Sequence, residues 1–175
     1  MKKVIKKIST LVLAGVLLVG ASATDILATS NSKVGTCGSY GSLTTNVWRS
    51  TNATTSGNTL QWDYQVSATY SGSYTVKEIR TTWKCSASLR SSASITLGIS
   101  TTGFNAGTSS SWQTVSTDSH YWSNTNGATS SSYRSNVCVG PKSDYREGTI
   151  CTYNTGKVQL KVSSTTYSYS WTASC

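Results

Sequence analysis

His120 is the single histidine of this 175-residue chain, so a Ser/His/Asp or Cys/His nucleophilic site would have to be built on it. Asp118-Ser119-His120 puts a carboxylate two residues away. On a strand those two side chains share a face but stand roughly 7 Å apart, too far for Asp118 to orient the ring unless the chain turns there. Serine is so frequent that finding one nearby carries no information. Paired carboxylates, as glycoside hydrolysis needs, would have to come from Asp63, Glu78, Asp118, Asp144 and Glu147. Asp63 and Glu78 can share one wet face, but Arg80 and Lys77 stand beside them, and structural ion pairing is the expected role. Asp144 and Glu147, in a basic loop, make a poor calcium site. One histidine and no CxxC pair make a poor zinc site. The sequence carries no glycine-rich phosphate loop, metalloprotease helix or nucleotide motif. The expectation is a non-enzymatic protein with no catalytic residue, no metal and no cofactor.

Binding chemistry is better represented. Six Trp and ten Tyr stand against one Phe, and Tyr and Trp supply flat apolar area with a polar handle where a surface is both wet and adhesive. Trp62, Tyr64, Trp83 and Trp171 fall on apolar strand faces and are expected in the core. Tyr121 and Trp122, adjacent and facing opposite ways, resist joint burial, and Tyr145 lies in the most charged loop. With Arg134, Lys142 and Arg146 as cations, these residues form the expected ligand-binding set. They would stack on sugar rings and meet negative groups of a cell-surface glycan or anionic envelope polymer. A second reading is a membrane-active β-type toxin or bacteriocin with membrane lipid as partner, since amphipathic strands that close into a barrel satisfy their backbone internally. A third is a secreted protein-binding or inhibitory domain that uses loops on a rigid scaffold. Nucleic acid is not an expected partner.

The first segment is expected to be removed. Met1–Lys7 is basic, residues 8–20 are apolar, and Ala21-Ser22-Ala23 is a small-x-small site, with Ile26-Leu27-Ala28 as a later alternative. That order of parts makes a secretory signal peptide over 1–28, cleaved after 23 or 28, and places the protein outside the cell. Removing four lysines and Asp25 lowers the net charge from +9 to +6, or to +5 if Asp25 stays. A moderate positive field favours anionic surfaces.

Export also bears on the five cysteines, an odd number in an oxidising compartment. Cys138 and Cys151 bracket the 141–147 loop and are expected to staple it, which chain entropy would make worth roughly 3 kcal/mol. Cys37 is expected to take Cys85 or Cys175. The cysteine left over is free to link two molecules into a disulfide-bonded dimer.

The elements that must position these residues read as strands. Ser and Thr make up roughly a third of the chain and Pro occurs once, a β composition. Leu60, Trp62, Tyr64, Val66, Ala68 and Tyr70 alternate with polar residues, so this run has one apolar and one polar face. A second run follows through Val76, Ile79, Trp83, Cys85, Ala87 and Leu89. With Ser71-Gly72 as a tight loop, the two read as a hairpin pairing Leu60 with Trp83, Tyr64 with Ile79 and Asp63 with Arg80. Val76 then falls on the wrong face, a parity switch that a β-bulge near Lys77-Glu78 would explain. Further strands are expected over 43–49, 93–99, 111–119, 133–139, 158–162 and 167–171. Residues 29–42 read as an arm pinned by Cys37, while 50–58, 101–109 and 120–130 read as loops. About eight strands with turn signals every ten residues predict an all-β, antiparallel β-sandwich over 29–175, with a closed β-barrel as the alternative.

Overall fold

The computed structural model describes residues 28–99 and 103–175. The signal peptide expected over 1–28 lies outside them but for Ala28, as do two residues of the loop expected over 101–109. The described chain is all-β, in two antiparallel sheets, one of which curls toward a half-barrel.

The first sheet runs in the order β1 (Ala28–Thr36), β2 (Ser42–Ser50), β4 (Thr59–Ser71), β10 (Ser130–Gly140), β6 (Ser94–Leu97), β7 (Phe104–Asn105), and the short β3 (Thr54–Ser56) pairs with the start of β4. The second has the order β12 (Thr165–Ser174), β11 (Cys151–Val162), β5 (Thr75–Leu89), β8 (Gln113–Ser116), with β9 (His120–Asn124) also on β5. Strands outnumber the expected eight because the supposed arm is β1, and three of the supposed loops hold β3, β7 and β9. β1 is polar on both sides and lies at a sheet edge, so its hydrophobic pattern gave no signal.

Alternation sets the faces. Trp62, Tyr64, Val66, Ala68 and Tyr70 are buried in β4, and Ile79, Trp83, Cys85, Ala87 and Leu89 in β5, as the period-two pattern requires. The predicted hairpin does not form. β4 is bonded to β2 and β10, β5 to β11, β8 and β9, and the chain passes from one sheet to the other at Gly72-Ser73-Tyr74. Two strands that each carry an apolar face can share a core by pairing side by side or by facing one another from opposite sheets, and alternation fits both. Here Tyr64 and Trp83 meet across the core, where the Trp83 indole Nε1 donates to the Tyr64 hydroxyl at 2.8 Å. Leu60 and Trp83, Tyr64 and Ile79, and Asp63 and Arg80 are therefore not ladder pairs. The bulge expected at Lys77-Glu78 is present: the β5–β11 register shifts so that Glu78 faces Gln159 and Val76 faces Leu160. Lys77 is the extra residue, and the shift lets Val76 and Ile79 both point inward.

Close approach of the sheets depends on small residues at two points. At Gly156 a Cβ would run into Thr45 and Ala68 of the opposite sheet. At Gly35 it would run into the Trp171 indole, which covers that stretch of β1. The β11–β12 hairpin turns on Ser163 with φ of 54°, the left-handed conformation a tight two-residue connection demands.

Candidate functional site

The expected binding residues fall in three places. Tyr121 and Trp122 lie in β9, where they alternate as expected and are 60% and 51% exposed. Tyr121 sits beside Thr82 on the outer face of the second sheet, and the Arg80 guanidinium lies 4.5 Å from its ring centroid. Trp122 faces the other way, at the sheet margin, 6.4 Å from Tyr133, whose ring stacks on Trp83 at 4.6 Å. Arg134 is on the outer face of the first sheet, 3.8 Å from Asp63 and above the Trp48 ring. Lys142, Tyr145 and Arg146 lie in the loop after β10, at one end of the molecule. Tyr145 is buried there: its ring packs edge-on against Trp62 at 5.2 Å, and its hydroxyl accepts from the Ile150 amide.

Strand pairing brings together a different group. β5, β11 and β12 expose one broad polar face. Across it Lys84 opposes Tyr153, with its ammonium 5.7 Å from the ring centroid, and Arg80 opposes Lys157. Thr82, Thr155 and Thr172 form a row beside Tyr121, and the Thr155 and Thr172 hydroxyls are 2.8 Å apart. Lys161 lies further along β11 next to Thr166, to which Lys77 donates at 3.3 Å. Glu78 is the face's one acid, and Arg80 binds it through Nε at 2.8 Å and through Nη2. Among the described residues, Lys77, Lys84, Lys157 and Lys161 have no carboxylate within 4.0 Å. Lys84 and Arg80, like Lys157 and Lys161, are four residues apart, roughly 13 Å along a strand. Two tyrosine rings and four ammonium groups without a carboxylate partner therefore stand on a hydroxyl-rich sheet face. The basic residues of 77–84 and 157–161 were visible in the sequence, but the register that places those runs side by side was not.

The groups considered for catalysis are apart. Asp63 is on the outside of the first sheet and Glu78 on the outside of the second, so they do not form a pair across a substrate. Asp144 takes the Arg90 guanidinium at 3.0 Å, and His120 leans on Trp83 at 6.4 Å. Among the described residues no group of three His, Cys, Asp or Glu is placed to hold a metal ion.

All five cysteines are free thiols. The expected Cys138–Cys151 staple is not formed, because the two belong to strands of different sheets and Cys138 faces Gln61 and Asn136 on the outside of the first. Cys37 lies in the part of the core around Tyr70, apart from Cys85. Cys85 and the terminal Cys175 both flank Thr152, two strand spacings apart and beyond disulfide reach. Burial pushes the Cys85 thiol from the ordinary 9.0 up to about 12, only partly offset by its contact with the Thr152 hydroxyl. A raised folded-state pKa stabilises the fold below the unfolded value and loses that contribution as pH rises toward the folded one. Stability is therefore expected to fall between about pH 9 and 12, and Cys85→Ala should flatten that part of a urea-denaturation pH profile.

No family model matches the chain, and no curated protein matches it.

Proposed function

We propose that this chain is an exported, non-enzymatic β-sandwich module that binds an anionic cell-surface glycan or envelope polymer through the outer face of its second sheet. The observation that carries the reading is the set Lys77, Lys84, Lys157 and Lys161, without carboxylate partners and spread over one sheet face beside Tyr121 and Tyr153. A single small anion would need cations converging on one point. Cations roughly 13 Å apart along two strands suit charges repeated along a chain. Tyrosine rings already lying under cations offer stacking area at little entropic cost, and the threonine rows offer hydroxyl partners to sugars. Of the residues expected from sequence, Tyr121 belongs to this face; Arg134 and Lys142 add to the positive field from elsewhere on the molecule.

The test is retention on an immobilised acidic polysaccharide with a neutral polysaccharide as control. Lys84→Glu/Lys157→Glu should weaken retention at least tenfold, and raising salt from 50 to 500 mM should do the same to the parent protein, since exposed charges are screened beyond a Debye length of roughly 4–14 Å over that range. The substituted sites face solvent, so stability should stay within about 0.5 kcal/mol. Equal retention on both polysaccharides, or none, would defeat the reading. Dye release from anionic vesicles at comparable concentrations would favour a membrane-active protein instead.

A further inference from the structure

A second site lies at the end of the molecule, away from the lysine face. Arg49 is on the inward-facing side of β2, in phase with Leu43, Thr45 and Val47, and so enters the core where an apolar residue would be expected. Its side chain is buried, with the residue 8% exposed. One guanidinium nitrogen, Nη1, donates to the Ser50 carbonyl at 2.8 Å, while Nε has no hydrogen-bond partner. Among the described residues no carboxylate lies within 4.0 Å of it. Glu147 lines the same groove but makes no ion pair with Arg49, and the other ionisable groups that feel the Arg49 charge are Cys85 and Cys175. Burial raises both thiols despite the pull of the Arg49 cation, so they stay neutral.

A buried cation without a counter-ion is costly even once relaxation is allowed for, and an unmade hydrogen bond adds to that. Arg49 forms part of the wall of a groove of about 730 Å³, a volume in the range of small-ligand sites, roughly 300–1,000 Å³. Leu60 and Trp62 supply an apolar wall, Asn52 an amide, Lys142 a second cation and Glu147 an acid. The Arg49 guanidinium lines this groove while largely withdrawn from water, and a charge-assisted hydrogen bond to an anion is strong in such a setting.

We infer that this groove binds a carboxylated sugar unit, with the carboxylate on Arg49 and Lys142 and the ring along Leu60 and Trp62. A carboxylate matches the planar guanidinium, and Asn52 and Glu147 can each bond a ring hydroxyl. The site is independent of the lysine face, so either can fail alone.

Titration of the whole protein by calorimetry or amide chemical shifts, with glucuronate, glucose and N-acetylalanine as probes, decides the matter. Glucuronate should bind at least tenfold more tightly than glucose, with shifts confined to the groove, and Lys84→Glu/Lys157→Glu should leave that binding unchanged. Arg49→Gln should cost glucuronate tenfold or more while leaving the melting temperature equal or higher, because it removes an unpaired buried charge. A purely structural Arg49 would instead give a lower melting temperature with glucuronate binding intact, which would overturn the proposal. Lys142→Ala, at the solvent side, gives a second measure that does not depend on Arg49→Gln folding: a several-fold loss is expected, and no loss counts against the site. Equal binding of glucuronate and glucose would remove the carboxylate from the proposal, and tighter binding of N-acetylalanine would remove the sugar.

Discussion

Trp83→Ala is expected to destabilise the protein by about 3–5 kcal/mol, since Trp83 is the largest fully buried side chain among the described residues. Trp83 is 2% exposed, stacks on Tyr133 at 4.6 Å and donates its indole N–H to Tyr64. Truncation leaves a cavity between the sheets and strips the Tyr64 hydroxyl, itself fully buried, of its donor. Against a typical net stability of roughly 5–15 kcal/mol, such a loss should move most of a urea transition to much lower denaturant. Tyr64→Phe separates the two contributions. It keeps the ring and leaves the indole N–H unpaired, so a smaller loss of about 1–3 kcal/mol is expected. Equal midpoints for Tyr64→Phe and the parent would show that the bond contributes nothing.

Asn154→Leu should cost about 2–4 kcal/mol, although the substitution nearly preserves side-chain volume and adds apolar surface. Asn154 is on β11 with its side chain wholly buried and aimed at the other sheet. There its Nδ2 donates to the carbonyls of Asn46 at 2.7 Å and Ser67 at 2.9 Å, and its Oδ1 accepts from the Thr81 hydroxyl at 2.5 Å. The amide thus ties β5 and β11 to β2 and β4. Leucine would take this partner from the Thr81 hydroxyl and from the Asn46 and Ser67 carbonyls. Removing Thr81's hydroxyl as well should cost less than the sum of the single losses, because the two groups share one bond. A double-mutant cycle on urea midpoints checks this, and strict additivity would show that the network does not act as a unit.

Much of the fold was legible because burial imposes a period of two on any strand with one wet face. That rule located β2, β4, β5, β6, β10, β11 and β12 and the inward side of β4, and it exposed the Lys77 bulge as a break in parity. It missed β1, whose side chains are exposed on both sides and carry no pattern, and β9, where Tyr121 and Trp122 are both exposed and so read as a loop.

Pairing was less legible, since identical alternation serves a neighbour in the same sheet and a strand facing it across the core. Leu60–Leu89 looked like a hairpin for that reason, yet β4 and β5 lie in opposite sheets. The candidate surfaces followed the same division. Tyr121 was identified from its type and context, but Lys84, Tyr153 and Lys157 become one surface only when β11 pairs with β5 in register. Arg49 looked like the polar end of a strand, and only the packing of the two sheets made it a buried cation beside a groove.

By itself the sequence determined what each strand must bury, because the transfer of apolar side chains out of water depends on residue type and spacing along one strand. The tertiary structure decided which strands lie side by side, which of the five thiols can reach one another and where the charges gather. Those outcomes depend on hydrogen bonds and contacts between residues far apart in the chain, and no local pattern records them.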